Sequence, residues 1–392
     1  MITVIRGAWL VDGEGGRGEV VIDGERITEV GSRVLVPPDA RVVEASGGTL
    51  LPGLVDCHTH SFPGSPIQAL ALGVTTELDM FSSPEIAATL RASSARRAGM
   101  AEVRSAGTGA GAPGGYPAML VESGVYPPYP TLTEPEEAAA FVRDRVAEGS
   151  DYLKIIIEDG QAYGQNLPCL RPEVVAALTL AAHEHGLLAV AHVSTRAATV
   201  TALEAGVDVL AHVFTDVPGD AKIGAAIAES GTTVVPTLVQ FEGRDGGGLA
   251  EDPRIRPYLH PASLPGLAAD RDQGRLENAL ATTRLIHRHG GTLLAGTDTP
   301  NPGTTAGASV HRELEFLVRA GLSPLAALAA ATSEPARVFG LAGRGRIAPG
   351  QQADLLLVDG DPTSDITATR SVRAVWRRGE RFDRDAYRAG LS

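Results

Sequence analysis

Cysteine is almost missing from this chain: Cys57 and Cys169 are the only two in 392 residues. One pair supplies neither a disulfide framework nor a zinc-binding Cys-x-x-Cys spacing, so a reducing, cytoplasmic setting is expected. Aromatic residues are scarce at 4%. No apolar run approaches the length of about eighteen residues that would span a bilayer. The opening apolar stretch is interrupted by Asp12, Glu14 and Arg17 before it reaches the length of a secretory signal. Positive charge is also short. The formal net charge is −13 and the pI near 5.3, which speaks against nucleic acid or an anionic membrane as a partner. Glycine (46 residues) and proline (26) are plentiful, as expected of a loop-rich α/β enzyme. The expected partner is a small-molecule substrate, with a homo-oligomer left open.

The hydrophobic texture changes twice along the chain. Residues 1 to about 52 contain short alternating segments, ITVIRGAWLV, GEVVIDG, RITEVG and ARVVEA, separated by glycine and charged turns. The same texture returns after residue 345 in ADLLLVDG and VRAVWRRG, which predicts an antiparallel β-sandwich built from both termini. Between them, over residues 53–344, apolar strand-like runs alternate with helical stretches such as PEIAATLRASSARRAG and PEVVAALTLAAHEHG. Eight strands are expected, Leu54 to His60, Thr75 to Met80, Val103 to Ala106, Tyr152 to Ile157, Leu188 to Val193, Val209 to Phe214, Thr233 to Leu238 and Leu293 to Asp298. That alternation predicts a (β/α)8 barrel, whose chemistry sits at the carboxyl ends of its strands.

Six residues with metal-binding side chains stand at those ends: His58, His60, Lys154, His192, His212 and Asp298. In a strand, residues two apart share a face, so His58 and His60 project together with Asp56, while Cys57 turns away as a packed thiol. Pro63 and Gly64 break the chain just beyond. Imidazole pairs suit zinc first, with iron, manganese, cobalt or nickel possible. His192 and His212 are separated by one strand–helix–strand step and so fall on neighbouring strands. Asp298 follows the apolar run TLLAG and is read either as a ligand and proton carrier or as turn chemistry before Pro300. Lys154 sits in an apolar run where a bare ammonium is costly. It is either paired with Glu158 or Asp159, or deprotonated and combined with carbon dioxide into an anionic carbamate ligand.

Two further His-x-His patterns, His183-Glu184-His185-Gly186 and His287-Arg288-His289-Gly290, fall at helix ends followed by glycine and belong to the opposite face. The glycine-rich GTGAGAPGGYP lacks the immediate helix that a phosphate loop requires, because Pro113 and Pro117 interrupt it. It reads as a loop lining the substrate site, with Tyr116 as its polar handle. Gln161 and Tyr163, Asn301 and His311 are placed at the mouth by neighbouring loops. The long stretch QFEGRDGGGLAEDPRIRPYLHP is expected as a lid carrying Arg254, Arg256, Tyr258 and His260.

PGLVDCHTH, the strand lysine, the two strand histidines and the TLLAGTDTP aspartate together resemble the amidohydrolase superfamily along essentially the whole chain. GVTTELDM, AHVFTD and GRIAPGQQADLLLVDGDP are most similar to its imidazolonepropionase-related and prolidase-like members. The resemblance implies two divalent metal ions. His58, His60 and Asp298 would hold one, His192 and His212 the other, and carbamylated Lys154 would bridge them. It also implies hydrolysis of an amide-type C–N bond, open-chain or cyclic, with Asp298 carrying the proton. The competing readings are a deaminase or mononuclear variant, with one ion on His58, His60, His192 and Asp298 while His212 helps the base, a lactam-forming or cyclising enzyme, and a non-catalytic scaffold on the same fold.

Overall fold

The computed structural model describes residues 1–11, 15–242, 248–269 and 275–391. Strands β1 (Ile2–Leu10), β2 (Gly16–Asp23), β3 (Arg26–Gly31), β4 (Arg41–Glu44) and β5 (Gly48–Pro52) open the chain. The parallel strands follow: β6 (Leu54–Thr59), β7 (Val74–Asp79), β8 (Glu102–Ser105), β9 (Leu153–Ile157), β10 (Ala189–Val193), β11 (Val209–Ala211) and β12 (Thr233–Val235). The last strands are β13 (Leu355–Asp359), β14 (Val372–Arg377) and β15 (Glu380–Arg381).

Both chain ends share one eight-stranded sheet in the order β15-β14-β13-β5-β1-β2-β3, with β4 also on β1. The junction is the antiparallel β5·β13 ladder, where Leu50 faces Leu357. This is a single sheet, not the expected sandwich, and it is not wholly antiparallel, since β1 runs parallel to β4 and β5. Its inward side chains, Ile5, Ile22, Ile27, Leu50, Leu355, Leu357 and Trp376, form their own buried cluster. Burying large apolar side chains of this kind is worth about 1.5–3 kcal/mol each, which offsets the ordering of the strands. The sheet is tied to the central segment through buried Arg377, which donates to the carbonyls of Ser94 and Arg97, and through Arg344, which pairs with Glu102 and Asp354.

The central strands form two open parallel arcs, β6-β7-β8 and β12-β11-β10-β9. Single bridges link them: Ala110 to Ile155, Val234 to Leu293 and Thr59 to Thr299. Tyr152 adds a side-chain tie, donating its hydroxyl to the carbonyls of Asp79 (2.9 Å) and Arg104 (3.2 Å). The β-branched run of β9 and the Val-Ala alternation of β10 suit strands buried on both faces. Three of the connecting helices start where a side-chain oxygen caps them. Ser83 accepts from Ile86, Thr195 from Ala198 and Asp220 from Ile223.

Three expected strands are shorter or absent. β11 stops at Ala211 because His212 takes a left-handed backbone (φ 73), and β12 stops before Pro236 and left-handed Thr237 (φ 49). Residues 293–298 form no ladder. They run between β12 and β6 on isolated hydrogen bonds, Leu294 to Val234 and Cys57 to Ala295, and end at left-handed Asp298 (φ 59). Replacing Tyr152 with Phe removes the hydroxyl tie between the arcs and is expected to cost about 0.5–1.5 kcal/mol of stability, read as a lower urea midpoint at constant m-value. An unchanged midpoint would show that the bridges hold the arcs without it.

Candidate metal centre

All six predicted ligands line one cavity of about 450 Å³. It opens at the carboxyl ends of the arcs, and each ligand reaches it by a local device. β6 delivers His58 and is followed at once by His60. Lys154 is the second residue of β9, and its neighbour in the ladder register is Val190 of β10, two residues before His192. His212 and Asp298 turn inward through their left-handed backbones, a conformation that is uncommon for residues other than glycine and costs strain elsewhere in the chain to maintain. Gly296 lets segment 293–298 lie against β6. A Cβ there would fall 2.9 Å from the His58 nitrogen and 2.4 Å from a Val235 methyl. Buried Asp56 fastens the same contact by accepting from Thr297 N (3.0 Å) and Thr297 Oγ1 (2.6 Å).

Asp298 Oδ1 lies 3.2 Å from His58 Nε2 and 3.0 Å from His60 Nε2. His58, His212 and Asp298 each offer a ligand atom, and these atoms lie within 4.8 Å of one another. The His212 ring is 4.7 Å, centroid to centroid, from both the His58 and His192 rings. Lys154 Nζ and His58 Nδ1 are buried with no hydrogen-bond partner. Lys154 does not pair with Glu158, whose carboxylate is taken by His192 Nε2 (3.1 Å) and by the backbone of Gly160 (2.6 Å).

The electrostatics favour ligand protonation states. Burial pushes the Lys154 ammonium down to about 7 against the pull of Asp298 and Asp79. Burial, helped by the Lys154 charge, pushes His58 down to about 3. His212 is pushed well below its ordinary value by burial. Burial alone would raise Asp298, but the imidazoles of His58, His212 and His60 crowded against it hold it well below the usual carboxylate range. His60 goes the other way and is raised, since burial is outweighed by the Asp298 carboxylate on its Nε2. A lysine and two imidazoles on which burial disfavours charge, beside an ionised carboxylate, form a donor set that fits divalent cations.

A second layer of side chains holds the histidine rings in place. His212 is gripped at Nδ1 by two of them, Thr237 Oγ1 (2.6 Å) and Gln240 Nε2 (2.8 Å), and the Thr237 hydroxyl is itself tied to the Pro236 carbonyl (2.8 Å). Gln240 Nε2 donates to the same hydroxyl (2.7 Å). Glu158 takes the proton of His192 Nε2 and leaves Nδ1 free. Glu313, from the helix Ala308–Arg319, accepts from Val239 N (2.8 Å) and so anchors the turn that carries Thr237 and Gln240. None of these four supporting residues was singled out from the sequence as orienting a ligand, because nothing in their spacing announces a partner that the fold brings from another strand.

Of the predicted substrate contacts, Tyr116 lines the cavity, its ring stacked 5.2 Å from that of His192. Asn301 lines it as well. Gln161 and Tyr163 do not. They belong to a short 3-10 turn directed outward, where the Tyr163 ring packs under Arg275. His311 is displaced too, because it lies on the buried face of its helix with Nε2 against the Leu72 carbonyl (3.0 Å). Arg254, Arg256, Tyr258 and His260 lie outside the cavity lining. Arg254 chelates Asp252, and residues 243–247 of the expected lid lie outside the described residues. His183 and His287 fall in the last turns of their helices, closed by Gly186 and Gly290, away from the cavity. Missed by sequence reasoning were Phe81, Ile86, Leu120, Val125 and Tyr126, which form an apolar wall.

Fold and site together bring imidazole, lysine and carboxylate side chains to one cavity at the carboxyl ends of parallel strands. A sequence model of the amidohydrolase family matches residues 49–381, and the chain belongs to that family. It is similar to the imidazolonepropionase of Deinococcus deserti at 27% identity, covering 91% of this chain and 89% of that one. It is also similar to the ochratoxinase of Aspergillus niger at 26% identity, covering 97% and 86%. A crystal structure of a Xaa-Pro dipeptidase with methionine in its active site shares the fold, with a TM-score of 0.79 at 24% identity over 98% of this chain and 100% of that one. The similarity falls in the imidazolonepropionase-related and prolidase-like branch, and the chain is a hydrolase acting on carbon–nitrogen bonds. The family and its structural neighbours imply a TIM barrel with a small sheet domain as the architecture of the arcs and terminal sheet. Among the described residues no helix is long and apolar enough to cross a membrane.

Two outcomes test the supporting layer. Glu158→Gln is expected to lower zinc affinity by about 10–100-fold in a dialysis titration read by mass spectrometry of the metal, and unchanged affinity would count against an orienting role. Glu313 is pushed up to about 8 by burial. Its ordinary value applies in the unfolded chain, so the folded state holds a proton that the unfolded state releases, and stability falls as pH rises from 4.5 to about 8. Glu313→Gln is therefore expected to stabilise the protein by a few kcal/mol at about pH 8.5 and far less at about pH 5. Urea midpoints that differ equally at both pH values would refute it.

Proposed function

We propose that this chain hydrolyses an amide-type C–N bond of a small molecule, open-chain or cyclic, with two divalent cations, zinc first, in the cavity. His58, His60 and Asp298 would hold one ion and His192 and His212 the other. Lys154 would join the two as a carbamate. The observation that carries this reading is the Lys154 Nζ, buried and without a partner inside a ring of metal-binding side chains. The chain has only one other lysine, Lys222.

A neutral Nζ attacks carbon dioxide, one N–C bond forms and one proton leaves, which turns an unpaired amine into an anion with two oxygens. Burial that pushes Lys154 down to about 7 keeps the neutral amine available. Bound cations would acidify water and polarise the scissile carbonyl. Asp298, ionised and at the cavity wall, takes the proton of the attacking water and passes it to the departing nitrogen. Glu158 holds the His192 ring through Nε2, and Thr237 and Gln240 hold the His212 ring through Nδ1.

Metal analysis should find two divalent ions per chain, and protein incubated with 13C-bicarbonate should show a carbamate resonance that Lys154→Met abolishes. Asp298→Asn is expected to lower kcat by about 10²–10⁴-fold. A protein active with no carbamate signal and one ion would contradict the binuclear assignment.

A further inference from the structure

The cavity is two-sided. One side carries the ligands. The other is a wall made by Phe62 after β6, Phe81 and Ile86 after β7, and Leu120, Val125 and Tyr126 after β8. The wall is preformed, since the Phe81 and Tyr126 rings pack at 4.8 Å and Tyr129 backs both, at 5.4 Å and 6.0 Å. At its rim Phe62 and Val125 remain 44% and 71% exposed, apolar surface left in water.

Three polar side chains next to the wall are engaged elsewhere: Ser61 Oγ donates to buried Glu77 (2.9 Å), Ser82 Oγ to buried Asp79 (2.8 Å), and Asn301 Nδ2 to the Asp298 carbonyl (2.8 Å). The other polar groups beside them, the phenols of Tyr116 and Tyr126, are uncharged. Among the described residues lining the cavity there is no arginine, and Lys154 is the single lysine. A substrate carboxylate seated on the wall would be desolvated without a counter-charge, and the formal net charge of −13 adds no attraction for an anion. Pockets of a few hundred Å³ with an apolar lining and a few placed polar groups suit ring-sized ligands, and the wall itself carries no charged side chain.

We propose that the wall of Phe62, Phe81, Ile86, Leu120, Val125 and Tyr126 receives an uncharged aryl group, which makes the substrate a neutral aryl amide and not the amide of a free amino acid. This rests on reading the same cavity as the hydrolytic centre. The ring lies on the wall, and the carbonyl lies toward the ligand side chains.

The test uses the full-length, metal-loaded protein and two kinds of probe. Acetophenone has the ring and carbonyl but no C–N bond, so calorimetry reads seating without turnover. Acetanilide and 4-acetamidobenzoate differ by one carboxylate, and their kcat/KM ratio reads the charge preference. Acetophenone is expected to bind, and Leu120→Arg and Val125→Arg, both at solvent-reached positions, are expected to weaken it by about tenfold with metal content unchanged. Wild type is expected to prefer acetanilide by at least about tenfold, and the arginine variants to shift that preference toward 4-acetamidobenzoate. Acetophenone binding that both substitutions leave intact, or a wild-type preference for 4-acetamidobenzoate, overturns the aryl subsite and leaves the metal hydrolase standing. Acetophenone binding that behaves as expected, with neither anilide cleaved, supports the subsite and counts against the hydrolytic reading of the cavity.

Discussion

The centre is organised by one unfavourable act, the burial of a lysine amine where no protein group receives it. An ammonium at Lys154 Nζ would lose its hydration with no hydrogen bond in return, a penalty of several kcal/mol. Burial accordingly pushes the amine down to about 7, against the pull of Asp298 and Asp79, which makes its neutral form accessible. Everything around it follows the same logic. Burial disfavours charge on His58 and His212, while ionised Asp298 is stabilised by the imidazoles at its edge and in turn raises His60 against its burial. Such a collection is poor packing for an inert core. It makes physical sense as a cage for cations.

Holding the cage open requires distributed support. His212, Thr237 and Asp298 sit in left-handed backbone, and each is fixed from outside the cavity. Glu313 anchors the turn after β12, Thr237 and Gln240 orient His212, and Asp56 fastens Thr297 to β6. The terminal sheet and central segment are joined by buried arginines reaching backbone carbonyls. The geometry of six side chains is thereby set by contacts that span nearly the whole length of the chain.

Much of this was legible in the linear sequence because strand ends have a local signature. Polar side chains set in or at the end of apolar, strand-like runs marked Lys154, His192, His212 and Asp298, while period-two geometry paired His58 with His60 and Pro63 and Gly64 marked the end of their strand. The glycine-closed helix ends likewise separated His183 and His287 from the cavity. What could not be read is what depends on contacts between distant segments. His311 followed a loop in sequence but lies on a buried helix face. Gln161 and Tyr163 turned outward in a 3-10 turn, the terminal strands merged into one sheet, and the eighth strand is reduced to isolated bridges and hydrogen bonds on either side of Asp298. The aromatic wall was invisible for a similar reason, since Phe62, Phe81 and Tyr126 come from three separate loops and make no pattern until the arcs bring them together.

The most direct measurement of the central idea is anomalous diffraction from crystals grown with zinc, collected across the zinc absorption edge. The account predicts two anomalous peaks among His58, His60, His192, His212 and Asp298, with additional planar density continuous with Lys154 Nζ. A cavity with no anomalous peak and a bare Lys154 side chain would contradict it.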